Sequence, residues 1–324
     1  MRLLFVSLVS ILWLSGCALA QPTQMIANDQ ARVVELVAAH LETDYVDAEM
    51  GGEEAASQLR ADLEAGMFDQ VRDGERFAER VGSRLRELTG DGHLNLEYSA
   101  TDISEDEDAQ EEFNQQQMER WYGAHINYGV ESVERLDGNI GYLDLRVFPP
   151  IEMGGETIIA AMTVLADMDA LIIDLRQNGG GIGDTADLIA SYLFAAERRP
   201  LTGVYDRPSD TLTQRFTQPY VPGKRFGPEK PVYVLISPKT FSAAEALAYN
   251  LQALGRAKII GESSGGGAHP FEYLRIHPNY VLWSVTAKSV NPVTGTNWQA
   301  VGVLPDIQIR SSDALPRALR ELGY

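Results

Sequence analysis

The chain has 324 residues, 44% hydrophobic and 23% charged, with 27 Lys and Arg against 46 Asp and Glu and a single cysteine. That is enough for one large domain, or a small one beside a larger one, and the chain is too apolar to be disordered. A net charge of −19 speaks against nucleic acid as a partner, because phosphate binding needs a basic face. One cysteine excludes a disulfide framework, a cysteine zinc site and a CxxC redox centre.

Met1-Arg2 is followed by an apolar run from Leu3 to Leu14 broken only by Ser7 and Ser10. About a dozen such residues is short of the roughly 20 that span a bilayer and fits the apolar part of an export signal. Two cleavage readings stand side by side. Ala18-Leu19-Ala20 is an A-x-A site that releases a soluble protein from Gln21, and Leu14-Ser15-Gly16-Cys17 is a bacterial lipobox that would acylate Cys17. The position of the only cysteine favours the lipid anchor, which would be the chain's sole attachment to a membrane. Both readings place the mature protein outside the cytoplasm, either in the cell envelope (periplasm or outer membrane) or secreted.

Residues 21–100 read as a helical domain. Val33, Val34, Leu36, Val37 and Leu41 recur at helical spacing, then Ala56, Leu59 and Leu63, then Phe77, Val81, Leu85 and Leu88 up to Gly90. The spacing predicts three helices in a small bundle, with His40 at its solvent edge. His93 to Tyr98 alternates as a strand does. Residues 101–120 carry Glu105, Asp106, Glu107, Asp108, Glu111 and Glu112; without the ordered spacing and turn glycine of a calcium loop, the run is expected to be a solvated linker.

From 121 to 324 strands alternate with helices. Strands are predicted at 128–136 and 140–148 around a turn at Asp137-Gly138-Asn139, then at 170–175, 232–237, 257–261, 280–287 and 307–309. Helices are predicted at 157–168, 184–194 and 242–254, with a short one at the end. This order implies an α/β fold with a mostly parallel sheet covered on both faces. Active groups then gather beyond the carboxyl ends of the strands.

Two such ends are unusual. Leu171 to Leu175 runs into Gly179-Gly180-Gly181. Three glycines there make a plain tight turn or a nest of uncovered N–H groups that holds an anion or a developing oxyanion. A dinucleotide pattern, Gly181-x-Gly183-x-x-Ala186, is present as well, but no acidic residue closes a nearby following strand. No cofactor is expected. At the second end, Thr240-Phe241-Ser242-Ala243-Ala244-Glu245 leads a buried strand into an amphipathic helix. Ser242-x-x-Glu245 reads first as a capping box, and second as a hydroxyl beside free N–H groups at the positive end of a helix, suited to attack on a carbonyl.

In order and spacing, these motifs, with Gly255-Arg256-Ala257 and Gly261-Glu262, resemble the S41 serine peptidases, which include tail-specific C-terminal processing proteases and the tricorn core protease. Gly138-Asn139-Ile140-Gly141-Tyr142, Gly265-Gly266-Gly267-Ala268-His269-Pro270, Gly295-Thr296-Asn297-Trp298 and Gly302-Val303-x-Pro305-Asp306-Ile307 resemble the branch related to interphotoreceptor retinoid-binding protein. The resemblance runs from about residue 90 to 310. It implies a ClpP/crotonase-like α/β catalytic domain and hydrolysis of peptides or partly unfolded protein.

It further implies Ser242 as nucleophile and oxyanion donors from Ala243 and a glycine of the nest, Gly180 first. His93, in Asp91-Gly92-His93, would be the base. His269 is a second candidate for the base or for a pocket wall. The lysine base of the processing proteases is absent, since Gly266 occupies that position. The serine and glutamate that back the tricorn-like histidine correspond to Gly92 and Gln299, and a glutamine supplies no negative charge to an imidazolium. The same scaffold without catalysis, binding peptide or a hydrophobic ligand, is the alternative. His125 and His277 carry no motif, and the histidines are too scattered for a metal set.

Overall fold

The computed structural model describes residues 27–47, 51–104 and 107–324. The expected export signal, both candidate cleavage sites and Cys17 lie outside the described residues.

Three helices, α1 (Ala27–Thr43), α2 (Gly52–Glu64) and α3 (Gly74–Thr89), come first, followed by strand β1 (Asn95–Tyr98). Asp73 caps α3 by accepting the Arg76 N–H at 2.9 Å, and Gly90 closes it in the left-handed conformation. Helix α4 (Glu107–Tyr122) occupies most of the stretch expected to be a linker. Its Glu, Gln, Met and Arg residues are good helix formers and neither glycine nor proline interrupts them, so an acidic run does not exclude a helix.

The chain continues with β2 (Val130–Leu136), β3 (Ile140–Leu145), α5 (Ile151–Leu165), β4 (Ala170–Asp174) and α6 (Gly183–Leu193). A hairpin of β5 (Pro200–Asp206) and β6 (Thr211–Phe216), which the sequence pattern did not predict, precedes β7 (Val232–Ile236), α7 (Ala243–Ala253) and β8 (Lys258–Gly261). The last elements are β9 (Glu272–His277), β10 (Tyr280–Ser284), β11 (Ala287–Val290), β12 (Ile307–Gln308) and α8 (Ala314–Glu321).

The central sheet has the order β12-β8-β7-β4-β3-β2, parallel throughout except for the antiparallel edge strand β2. Every residue of β4 and β7 is buried. Leu171, Ile173, Val232, Val234 and Ile236 face a core formed with α5, α6 and α7. Ile172, Tyr233 and Leu235 face Ala314 and Ala318 of α8 on the other side. Burial on both faces is why these strands read as continuous apolar runs.

The N-terminal helices do not form a core by themselves. Strands β1, β10 and β9 make a second sheet in that order, and Tyr280, Leu282 and Val285 share one cluster with Val33, Val37, Leu59, Phe77 and Leu85. Phe77 meets Tyr280 edge-to-face, with ring centroids 5.8 Å apart. The docking also buries His40, expected at the solvent edge, whose Nε2 lies 3.0 Å from Ser284 Oγ.

Because the core is shared, Leu282→Ala in β10 should destabilise the protein by about 2–5 kcal/mol and lower hydrogen-exchange protection in α1 and α3. Unchanged protection there would mean that the helices stand as an independent bundle.

Candidate active site

The carboxyl ends of β4 and β7 lie side by side and are laced together. Thr240 Oγ1 donates to Leu175 O at 2.8 Å, Phe241 N–H to Asn178 O at 3.1 Å, and Asn178 Nδ2 to Leu145 O at 2.9 Å. Gly180 and Gly181 have φ of 109° and 125°. A Cβ on Gly180 would lie 2.7 Å from Ser242 Cβ, and one on Gly181 would lie 2.3 Å from Phe148 O, so only glycine lets the nest approach the serine this closely.

Ser242 has φ 55° and ψ −121°, whereas an ordinary N-cap lies in the extended region. A non-glycine residue held there stores about 1–3 kcal/mol, which capping alone does not require. The strain is maintained from below by Glu245. This fully buried carboxylate accepts Ser242 N–H at 2.8 Å, Ser264 Oγ at 2.5 Å, Gly266 N–H at 2.6 Å and Gly267 N–H at 2.8 Å. Burial raises its pKa, and these donors oppose the shift. The capping-box acid therefore also anchors the 264–267 glycine loop beside the serine.

Among the described residues, Ala243 N–H and Gly181 N–H have no hydrogen-bond partner in the protein, while Gly180 N–H donates to Asn178 Oδ1 at 2.8 Å. Ser242, Ala243 and Gly181 line a cavity of about 150 Å³ together with His269, Trp298, Asn250 and the Arg215–Asp187 ion pair. In that pair burial pushes the Asp187 carboxyl up to about 6, with Arg215 opposing. A wider groove of about 530 Å³ lies between α4 and Met153 of α5, away from these groups.

Two buried histidines adjoin the site, and Asp91 joins them. Asp91 is 0% exposed; its Oδ1 accepts His93 N–H at 2.9 Å, and its Oδ2 lies 2.6 Å from His269 Nδ1 and 3.2 Å from Tyr45 Oη. Burial pushes the Asp91 carboxyl up, but the hydrogen bond and charge of His269 outweigh this and hold it below the usual range. The His93 ring packs on Phe241, with centroids 4.6 Å apart, and on Phe271. Its Nδ1 is sealed from solvent without a partner, and burial lowers its pKa to about 4. Neither ring is hydrogen-bonded to Ser242 among the described residues.

Gln299 and Gly92 have structural roles. Gln299 Oε1 accepts Ala268 N–H at 2.8 Å, and Trp298 Nε1 donates to Gly267 O at 2.9 Å, so residues 298–299 grip the loop carrying His269. A Cβ on Gly92 would lie 2.9 Å from Phe241 Cζ, leaving little room for a serine. Asp91 carried no role in the sequence reading beyond its place before His93. Its link to His269 spans 178 positions, and local spacing does not show such a contact.

The model of peptidase family S41 matches residues 139–309. A carboxy-terminal-processing protease of Bartonella bacilliformis is 30% identical over 188 residues, which are 54% of this chain and 40% of that protein. The chain thus aligns with less than half the length of this curated relative. Two solved structures match most of the chain: a lipoprotein from Streptococcus agalactiae (TM-score 0.57, 15% identity, 95% of this chain and 99% of that one) and a candidate peptidase from Parabacteroides merdae (TM-score 0.61, 19% identity, 90% and 96%). At these identities the two structures show a shared fold.

His93 should stay neutral down to a pH of about 4 in the folded protein. A histidine depressed from its ordinary 6.5 in this way contributes stability that is fully present above the unfolded value and is lost as pH falls from about 6.5 to 4. Proton NMR of the imidazoles should show His93 titrating near the lower value. Titration near 6.5 would mean that the ring is solvated.

Proposed function

Because the chain belongs to peptidase family S41, we propose that it is a serine peptidase that cleaves peptides or partly unfolded protein outside the cytoplasm. The observation that carries this reading is Ser242, a side-chain-bearing residue held at φ 55° at the start of α7, beside unpaired backbone donors and a cavity. Strain of this kind positions a nucleophile.

Ser242 Oγ attacks the scissile carbonyl carbon while a neutral imidazole, from His93 or His269, takes its proton. The developing oxyanion is stabilised by Ala243 N–H and by the glycine nest. Gly180 N–H serves there by sharing its bond to Asn178 Oδ1, with Gly181, which lines the cavity, as the second nest donor. Collapse of the tetrahedral intermediate breaks the C–N bond, and the imidazolium returns its proton to the leaving amine. Water then repeats the sequence on the acyl-serine and frees the enzyme.

The apolar run at 3–14 and the cleavage sequences after it support export to the envelope, with Cys17 as a lipid anchor or Ala20 as the cleavage point. Among the described residues no helix is long and apolar enough to cross a membrane.

A fluorophosphonate should label Ser242. Ser242→Ala should abolish labelling and lower kcat on a peptide library by about 10⁴-fold or more. Well-folded protein that neither labels nor cleaves would favour the scaffold as a binder of peptide or hydrophobic ligand.

A further inference from the structure

A histidine that exchanges a proton with serine works best with its other nitrogen on a carboxylate, which fixes the tautomer and stabilises the imidazolium. The position expected to supply that carboxylate is Gln299, which is spent on Ala268 N–H. Starting from the peptidase reading above, we propose that Asp91 is the positioning carboxylate of this site and that His269, held by it through Nδ1, is the base for Ser242.

Three observations carry this. The Asp91 Oδ2–His269 Nδ1 distance is 2.6 Å with both side chains buried, a charge-assisted geometry. His269 lines the same cavity as Ser242 and Ala243, and His93 is not part of that lining. His93, by contrast, has no partner on Nδ1, so nothing sets its tautomer; its contact with Asp91 is through the backbone N–H.

The other groups facing His269 fit the same role. Asp47 Oδ2 lies 3.6 Å from Nε2, beyond hydrogen-bond distance, and Asp47 Oδ1 pairs with Lys288 at 2.9 Å. Nε2 therefore remains available to take the proton, and Asp47 adds negative charge near the imidazolium. Tyr45 Oη, on Asp91, completes the carboxylate's shell. His93, the neighbouring ring, is kept neutral by burial and adds no competing positive charge. Asp91 thus fills the place left by a glutamine at 299, but from the N-terminal side of the fold.

The test is steady-state kinetics against pH on the full-length protein with a cleaved peptide, comparing Asp91→Asn, His269→Gln, His93→Gln and Gln299→Glu. Asp91→Asn and His269→Gln should each lower kcat by about 10³-fold or more, with KM within about threefold, and the double variant should be no worse than either alone. His93→Gln should lower kcat by less than about tenfold, and Gln299→Glu should not raise it.

If His93→Gln removes turnover while His269→Gln stays within about tenfold of wild type, or if Gln299→Glu raises kcat by that factor, the proposal is overturned and the peptidase reading survives. Should Asp91→Asn fail to fold, His269→Gln decides by the same thresholds. If wild-type protein neither takes the fluorophosphonate nor cleaves, the peptidase reading and this proposal fall together.

Discussion

A carboxylate removed from water must find compensating donors, and the buried Asp91 finds them on three separate segments. Its partners are the backbone of His93 just ahead of β1, the hydroxyl of Tyr45 after α1, and the ring of His269 in the loop after β8. An unpaired buried charge is far costlier than a paired one. Satisfying Asp91 therefore requires the helical part, the second sheet and the glycine-rich loop to sit against one another. The shared core of α1–α3 with β10 supplies the apolar side of that docking, while Asp91 specifies its register at the cavity.

A second buried carboxylate does comparable work one layer away. Glu245 is oriented by its place three residues into α7, and it gathers donors from Ser242, Ser264, Gly266 and Gly267. The strain at Ser242 and the path of the 264–267 loop are thereby coupled, and Trp298 with Gln299 clamps the next part of that loop from the other side. The result is a serine, two unpaired backbone N–H groups and an oriented histidine around one small cavity. Each is held by rigid elements, and pre-organised electrostatic stabilisation depends on that rigidity.

Features set by local patterning were legible in the sequence. The continuous apolar runs of β4 and β7 predicted buried parallel strands, the three glycines predicted a turn of unusual φ, and Ser242-x-x-Glu245 predicted a helix start. That capping box is present, with Glu245 accepting the Ser242 N–H. Features set by contact across the chain were not legible. The β5–β6 hairpin and β9 carry mixed, half-exposed sequences whose pairing partners decide their structure. Most of the stretch expected to be a linker is helical, because charge does not fix backbone conformation. His40 is buried because β10 returns to cover it. The positive φ of Ser242 and the Asp91–His269 bond are both tertiary facts, which local spacing does not carry.

At the centre stands the proposal that Ser242 is the nucleophile and that His269, held by Asp91, is its base. A crystal structure of the protein with a peptide aldehyde or boronate bound covalently to Ser242 tests this directly. The expected structure has an oxyanion within about 3 Å of Ala243 N, His269 Nε2 within hydrogen-bond reach of the adduct, and the Asp91–His269 bond intact. An adduct approached by His93 Nε2, with His269 still turned to Asp47, would contradict it.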